Sequence, residues 1–464
     1  MRLEGRVFRR VLIANRGEIA LRVVRACREL GIETVVVHSE ADRDAPWLEG
    51  VDRAVCVGAA SAAASYLNQD AILQVAEQED CQAIHPGYGF LAENAVFAAR
   101  CEQQGVSFVG PPAHAIRRMG DKALAKRTMS DAGLPTIPGS AGVLAGAAAA
   151  REEAERIGYP VLLKASAGGG GKGMRFCGVR EDLDGAFAEA TLEAEKAFGN
   201  PALYLEKFIV GARHIEFQVL VDAYGRGIHL GERECSIQRQ HQKLIEESPS
   251  PAVERSERSE LGERVASAVA AFGYRGAGTV EFLRSAEGHF YFMEMNTRLQ
   301  VEHPVTEMLT GVDLVLRQLE VAAQRPLDLE QEAVAFRGHA IEFRINAEDP
   351  ARGFRPDPGR ISGFRPPTSE RDGVTVRWDS AIRAGYRIPP HYDSLIGKLI
   401  VHGRDRQHAL EGARDALSTL GIDGVRTTVD LHLRLLDDRG FRSGAYDIEY
   451  LSESGVLDPG EARA

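Results

Sequence analysis

Residues 294–304 read Glu-Met-Asn-Thr-Arg-Leu-Gln-Val-Glu-His-Pro. Glu294, Asn296, Arg298, Gln300 and Glu302 alternate with Met295, Thr297, Leu299 and Val301. In an extended chain successive side chains point to opposite faces. One face would then carry carboxylate, amide, guanidinium, amide and carboxylate over a largely apolar back. A solvated strand face also alternates, but it favours Lys, Thr and Glu over paired amides. Pro304 ends the run, because it cannot donate to a sheet ladder. Such a row is suited to anions and a divalent metal. The Arg298 guanidinium beside Gln300 can hold a small planar anion, and Glu302 next to it can act as a general base.

Three further stretches carry chemistry. Lys164-Ala-Ser-Ala-Gly168-Gly169-Gly170-Gly171-Lys172-Gly173-Met174 offers adjacent backbone N–H groups that can close on phosphate oxygens. A strand follows the glycines, with no helix opening there, and no Ser/Thr follows Lys172. The Rossmann and Walker A readings therefore fail, and a phosphate-covering hairpin fits better than a surface linker. The segments Thr279–Arg284 and His289–Met295 flank Ser285–Gly288 as a hairpin. Pairing Arg284 with His289 would set Glu281 and Glu294 on one face with Asn296. From spacing alone these acids are either ligands of Mg²⁺ or Mn²⁺ or solvated surface carboxylates, and a one-residue slip would separate them. Residues 234–243 add Gln238, Arg239, His241 and Lys243 as donors suited to anions.

The chain has 464 residues, 44% hydrophobic and 27% charged, with a formal charge of −11. That size allows two to four structural units, and the acidic balance argues against nucleic-acid binding. No apolar run approaches the ~20 residues of a membrane span. Six scattered cysteines without C-x-x-C fit a cytosolic chain with reduced thiols. The basic start (Arg2, Arg6, Arg9, Arg10) reads as a solvated tail. Cys235 reads as a packed thiol. His214-Ile-Glu216 lacks the P-C-x-x-C that would complete a deaminase zinc site.

The elements that must position these residues follow in order. Apolar strands at 11–15, 34–38, 81–85 and 106–109, with a helix from Ile19 to Leu30 stopped by Gly31, signal a parallel α/β layer. The first turn lacks G-x-G-x-x-G, which argues against a dinucleotide site. The loop His85-Pro-Gly-Tyr-Gly-Phe90 lies at a strand end, where ligands commonly bind. Residues 113–133 read as helical. A separate module spans 136–210, with helices at 146–157 and 181–198 and strands at 161–165, 174–177 and 203–208. From 211 onward hairpins dominate, including 215–221 with 228–236. A helix buries Leu410, Ala413, Leu417 and Leu420 before Gly421, and the tail after about 457 is polar.

Taken together these strings closely resemble biotin carboxylase of the ATP-grasp superfamily. The resemblance runs through residues 13–20, 85–94, 119–122, 164–174, 213–216, 234–239, 294–304, 342–348 and 392–398, from about residue 7 to 455. It implies a fold of mixed α/β and α+β class. The expected parts are a parallel α/β pre-ATP-grasp domain (1–110), a helical linker (111–135), an ATP-grasp lid (136–210) and core (211–335), a C-terminal biotin carboxylase domain (336–455) and a polar tail (456–464). It implies ATP-dependent carboxylation of biotin by bicarbonate through carboxyphosphate, in the cytoplasm. By match, Lys122, Lys164, Gly170, Gly171, Lys172, Glu206, Lys207, Phe208, Ile209, His214, Gln238, His241, Glu281 and Glu294 would bind ATP. Glu281, Glu294 and Asn296 would hold Mg²⁺ or Mn²⁺. Lys243, Arg298, Gln300 and Val301 would hold bicarbonate, Glu302 would deprotonate it, and Arg344 would stabilise the biotin enolate, with Tyr88 a further biotin contact. Carboxyphosphate breaks down readily in water, so the glycine loop is expected to close over it.

Three departures qualify the resemblance. Gln240 replaces a basic residue common in the family, weakening local phosphate attraction. Ser-Pro-Ser-Pro (248–251) stands where alanines are common, with little effect expected. No Met-Lys-Met biotinylation site or carboxyltransferase region is present, so biotin is expected on a separate carrier protein. Separate carboxyltransferase subunits are expected too, as in acetyl- or acyl-CoA carboxylases, and the family suggests a homodimer. Two alternatives are another ATP-grasp ligase joining a carboxylate to an amine, and an inactive ATP-binding assembly subunit. The Arg298, Gln300 and Glu302 set disfavours the first, and retention of every matched acid and base disfavours the second.

Overall fold

The computed structural model describes residues 7–166 and 173–457, which divide into two compact units. Unit 1 comprises Met1–Asp121, Arg213–Glu281 and Glu294–Ala464; unit 2 comprises Lys122–Ala212 and Phe282–Met293.

Unit 1 begins with a parallel sheet of Arg10–Ile13, Glu33–His38, Arg53–Cys56, Ala83–His85 and Ser107–Phe108, ordered 3-2-1-4-5. The apolar runs set its centre, since Val11, Leu12, Ile13, Val35, Val36 and Val37 are fully buried. The edge strand Arg53–Cys56 was not legible, because its side chains are mostly exposed and it carries no apolar run. The helix Gly17–Glu29 stops as expected at Gly31, whose φ is +67°. Arg10 opens the first strand and donates to Glu33 Oε2 at 2.6 Å, so it is not part of a solvated tail. Arg2 and Arg6 lie outside the described residues.

The second sheet has eight strands: Phe290–Asn296, Gly276–Arg284, Arg213–Val221, Gly227–Arg239, Gln242–Ser248, His339–Asn346, Leu395–Gly403 and Thr375–Ser380, in that spatial order. Strands of the expected core and C-terminal parts thus share one sheet. The helix Arg406–Thr419 covers it with Leu410, Ala413 and Leu417, as the sequence pattern requires.

The serines of 248–251 prove to be structural. The Ser248 hydroxyl donates to Glu232 O at 2.6 Å, and the Ser250 hydroxyl to the buried Glu234 carboxylate at 2.8 Å. This revises the expectation of little effect. Ser250→Ala is expected to lower stability by about 1–2 kcal/mol with turnover unchanged, as read by urea denaturation and steady-state assay.

Unit 2 holds an antiparallel sheet, Met174–Cys177, Val161–Ala165 and Leu203–Lys207 in spatial order. Helices Ala147–Ile157 and Leu183–Phe198 supply Ala150, Ala154 and Leu183 to its core. The segment expected as one helix over 113–133 is two, Ala113–Gly120 and Lys122–Asp131, parted at Asp121 with ψ of 109°.

Candidate active site

The strand Phe290–Asn296 stops at Asn296. The extended face expected to run from Glu294 to Glu302 therefore ends there, and Thr297–Val301 form a loop into the helix His303–Thr310, with Glu302 at its N-cap position but making no side-chain capping bond. The side chains still converge. Arg298 Nη1 donates to Gln300 Oε1 at 2.9 Å and Nη2 to Asn296 Oδ1 at 3.1 Å. Glu93, which the sequence did not single out, holds the far side: it accepts from Arg298 Nε at 2.9 Å and from Thr297 N at 2.8 Å.

The hairpin register also differs. Ser285 N donates to His289 O and Gly288 N to Ser285 O, with Gly288 at φ +92°. Ser285, and not Arg284, pairs with His289, because the left-handed glycine absorbs one loop residue. Glu281 and Asn296 meet nonetheless: Asn296 Nδ2 lies 2.7 Å from Glu281 Oε1, Gln300 Nε2 3.0 Å from the same oxygen, and His214 Nε2 2.9 Å from Oε2.

Lys243 is the hub of unit 1's charged core. Its Nζ lies 2.6 Å from Glu216 Oε2, 2.7 Å from Glu302 Oε1 and 3.2 Å from Glu281 Oε1. Arg344 closes the other side, with Nη2 at 2.9 Å from Glu302 Oε2 and Nε at 2.6 Å from Glu246 Oε1. Burial alone would raise Glu302, but Lys243, then Arg344 and Arg233, hold it well below the ordinary carboxylate range. Glu281 is likewise lowered against burial by Lys243 and His214. Burial pushes Glu216 up, with Glu302 adding to the rise and Lys243 opposing it.

Glu216 and Arg233 were missed. Arg233 lies opposite Glu216 in register and donates to it at 2.6 Å, and both side chains are fully buried. The usable signal was alternation: His214, Glu216 and Gln218 fall on one face of Arg213–Val221. Cys235 is a packed thiol 4.0 Å from Glu302, and burial pushes it well above its ordinary range, which removes it as a nucleophile.

The remaining predicted residues fall as follows. Asn15 Nδ2 donates to Pro86 O and Tyr88 O at 2.6 and 2.7 Å and fixes the 85–90 loop. The Tyr88 hydroxyl donates to Glu18. Lys398 bonds the Val301 carbonyl at 2.8 Å and Glu18 at 3.1 Å. Gln238 pairs with Lys243 across the strands. His241 sits in the tight turn after Arg239, where Gln240 and His241 both have positive φ, +49° and +66°. Glu294 lies two residues before Asn296 on the same strand. In unit 2, Glu206 accepts from Lys164 Nζ at 2.6 Å and from Lys126 Nζ at 3.0 Å. Lys207 Nζ is taken up by the Gly158 and Tyr159 carbonyls at 2.9 and 2.8 Å. The Phe208 ring meets Phe176 edge-on, Ile209 is half-buried and Lys122 is exposed. Gly168, Gly169, Gly170, Gly171 and Lys172 lie outside the described residues.

Three family profiles match in sequence: "Biotin carboxylase, N-terminal domain" over 7–116, "Carbamoyl-phosphate synthase L chain, ATP binding domain" over 121–330, and "Biotin carboxylase C-terminal domain" over 342–453. Biotin carboxylase 1 of Bacillus subtilis is 52% identical over 452 residues, covering 97% of this chain and 100% of the relative. The chain belongs to the biotin carboxylase family. Solved structures agree. The biotin carboxylase domain dimer of Hydrogenobacter thermophilus 2-oxoglutarate carboxylase, in complex with MgADP, ADP and bicarbonate, superposes with a TM-score of 0.90 at 48% identity, covering 98% of this chain and 99% of that one. The Campylobacter jejuni biotin carboxylase–beta-gamma-ATP complex gives 0.90 at 47% identity, covering 96% and 98%. No helix among the described residues is long and apolar enough to cross a membrane.

Proposed function

We propose a division of labour among these residues for the ATP-dependent carboxylation of biotin by bicarbonate, the reaction of this family. The observation that carries it is a fully buried Glu302 carboxylate held between Lys243 and Arg344. Glu302 stays ionised across the working pH range and is ready to accept a proton. Its lowered affinity for that proton makes it a weak base while both cations lie against it. Bicarbonate oxygens drawing on Lys243 and on the Arg298–Gln300 pair relax that hold and raise the basicity of Glu302 as the substrate arrives. Val301 lines the same segment. Arg344, anchored by Glu246, offers its charge to the biotin enolate, and Tyr88 borders that side.

In unit 1, His214, Gln238, His241, Glu281 and Glu294 are assigned to ATP by their match to the family. In unit 2, Lys122, Lys164, Glu206, Lys207, Phe208 and Ile209 carry the same assignment, as do Gly170, Gly171 and Lys172 of the glycine loop. Lys207 serves ATP through its backbone, since its side chain is already bonded. The hard oxygens of Glu281, Glu294 and Asn296 suit Mg²⁺ or Mn²⁺, and a buried Glu281 kept ionised by its neighbours supports that fit. There the cation would neutralise phosphoryl charge. Biotin arrives on a separate carrier protein, the carboxyl group passes to carboxyltransferase subunits, and the chain works as a cytoplasmic homodimer.

With ATP, Mg²⁺, bicarbonate and free biotin, ADP release is expected to depend on both bicarbonate and biotin. Release indifferent to both overturns the assignment, and stimulation by an amine points instead to a carboxylate–amine ligase.

A further inference from the structure

Glu246, which anchors Arg344, is one member of a buried acid pair whose other member, Glu342, has no part in the proposed reaction. Glu246 on Gln242–Ser248 and Glu342 on His339–Asn346 stand directly opposite each other in register, and both residues are 0% exposed. Directly opposed antiparallel residues have Cβ atoms about 4.5–5.5 Å apart. Among the described residues no donor reaches Glu342 Oε1, Glu342 Oε2 or Glu246 Oε2, and Arg344 reaches only Glu246 Oε1. Two ionised carboxylates buried directly opposite each other would repel strongly.

The cations around them are already committed. Arg344 serves Glu246 and Glu302, and Lys398, from the neighbouring strand, serves Glu18 and the Val301 carbonyl. Glu302, at the start of the helix His303–Thr310, adds further negative charge, and His303 beside it is kept neutral by burial.

We propose that Glu246 and Glu342 share one proton, and that this single-charge pair positions Arg344. A Glu342 hydroxyl bridging to Glu246 Oε2 supplies the missing donor. The pair then pulls on Arg344 with one negative charge in place of two, leaving Nη2 on the Glu302 side, where biotin is to be met. Burial raises Glu342 well above the ordinary carboxylate range despite Lys398. Burial likewise pushes Glu246 up to about 7, with Arg344 opposing and Glu302 adding.

The consequence for Arg344 rests on the biotin-carboxylase reading; the shared proton does not. Glu342→Gln, which mimics the neutral acid, is expected to keep kcat within about twofold, as when one neutral donor replaces another. It should also displace the alkaline limb of kcat/KM for biotin. An acid raised in the folded state weakens the fold as pH climbs from the unfolded carboxylate range towards its own value. Glu342→Gln should therefore melt above the wild type at alkaline pH, with the gap closing in acid. In infrared spectra of protein with ¹³C-labelled glutamate, a protonated-carboxyl band should be present in the wild type and lost in the variant.

A variant that is unfolded or less stable at alkaline pH, an unchanged infrared band, or a loss of about tenfold in kcat restored by Glu342→Asp would overturn the proposal, since each requires an ionised Glu342. Absence of biotin-dependent ADP release in the wild type would count against the function instead, leaving the melting and infrared readouts to decide the pair.

Discussion

Glu302→Gln is expected to lower kcat for biotin-dependent ADP release by about 10²–10⁴-fold, the range for loss of a positioned base, while KM for ATP stays near the wild-type value. The amide matches the carboxylate in shape but cannot accept the proton of bicarbonate. Lys243 keeps Glu216 at 2.6 Å and Glu281 at 3.2 Å, and Arg344 keeps Glu246, so neither cation loses every partner. The assigned ATP residues do not include Glu302. A parallel titration of nucleotide binding separates the two readings. If the variant bound ATP ten or more times more weakly, as when one charged hydrogen bond is lost, Glu302 would belong to the nucleotide site, and another base would have to be found.

What the sequence revealed about this site depended on distance along the chain. Arg298, Gln300 and Glu302 stood out because they lie within five residues of one another, where side-chain alternation can be read directly. Glu216, Arg233 and Glu93 did not, because the contacts that give them meaning cross from strand to strand or from the first sheet's loops. Glu93 is 205 residues from Arg298, and no spacing rule links such a pair. Lys398 was legible only as part of a matched string, yet it is the side chain that fixes the Val301 carbonyl.

The fold followed the same logic. Strands with buried apolar runs were readable, and the exposed edge Arg53–Cys56 was not. The hairpin at 285–288 was placed correctly, but its register slipped by one: Ser285 pairs with His289, so the loop between the paired residues is 286–288, closed by a left-handed Gly288. Within the row from Glu294 to Glu302, Asn296, Arg298 and Gln300 do meet, but not as one strand face. The row is a strand end followed by a loop into a helix, and the loop's hydrogen bonds, more than sheet alternation, bring the groups together.

Lys243→Met should give the other large effect, and it should show in stability as well as turnover. Lys243 faces Glu216, Glu281 and Glu302, and its own side chain is 11% exposed. Removing one partner of such a buried cluster leaves uncompensated charge, at a cost of about 3–5 kcal/mol. Glu281 and Glu302 are held below the ordinary carboxylate range, so the stability they contribute is present above the unfolded carboxylate pKa and is lost as pH falls. Lys243 is itself raised against burial by Cys235, Glu216, Glu281 and Glu302, so its share is present below the ordinary lysine value and is lost as pH rises through the folded value. The two limits bracket a window of about pH 5–10 in which the variant's deficit should be greatest. Below it the acids take up protons, and the missing cation matters less. Urea melts of both proteins across this range provide the measurement. A deficit that stays constant into acid would mean that Lys243 acts through the packing of its stem, and the charged hub would not be what holds Glu302 in its ionised form.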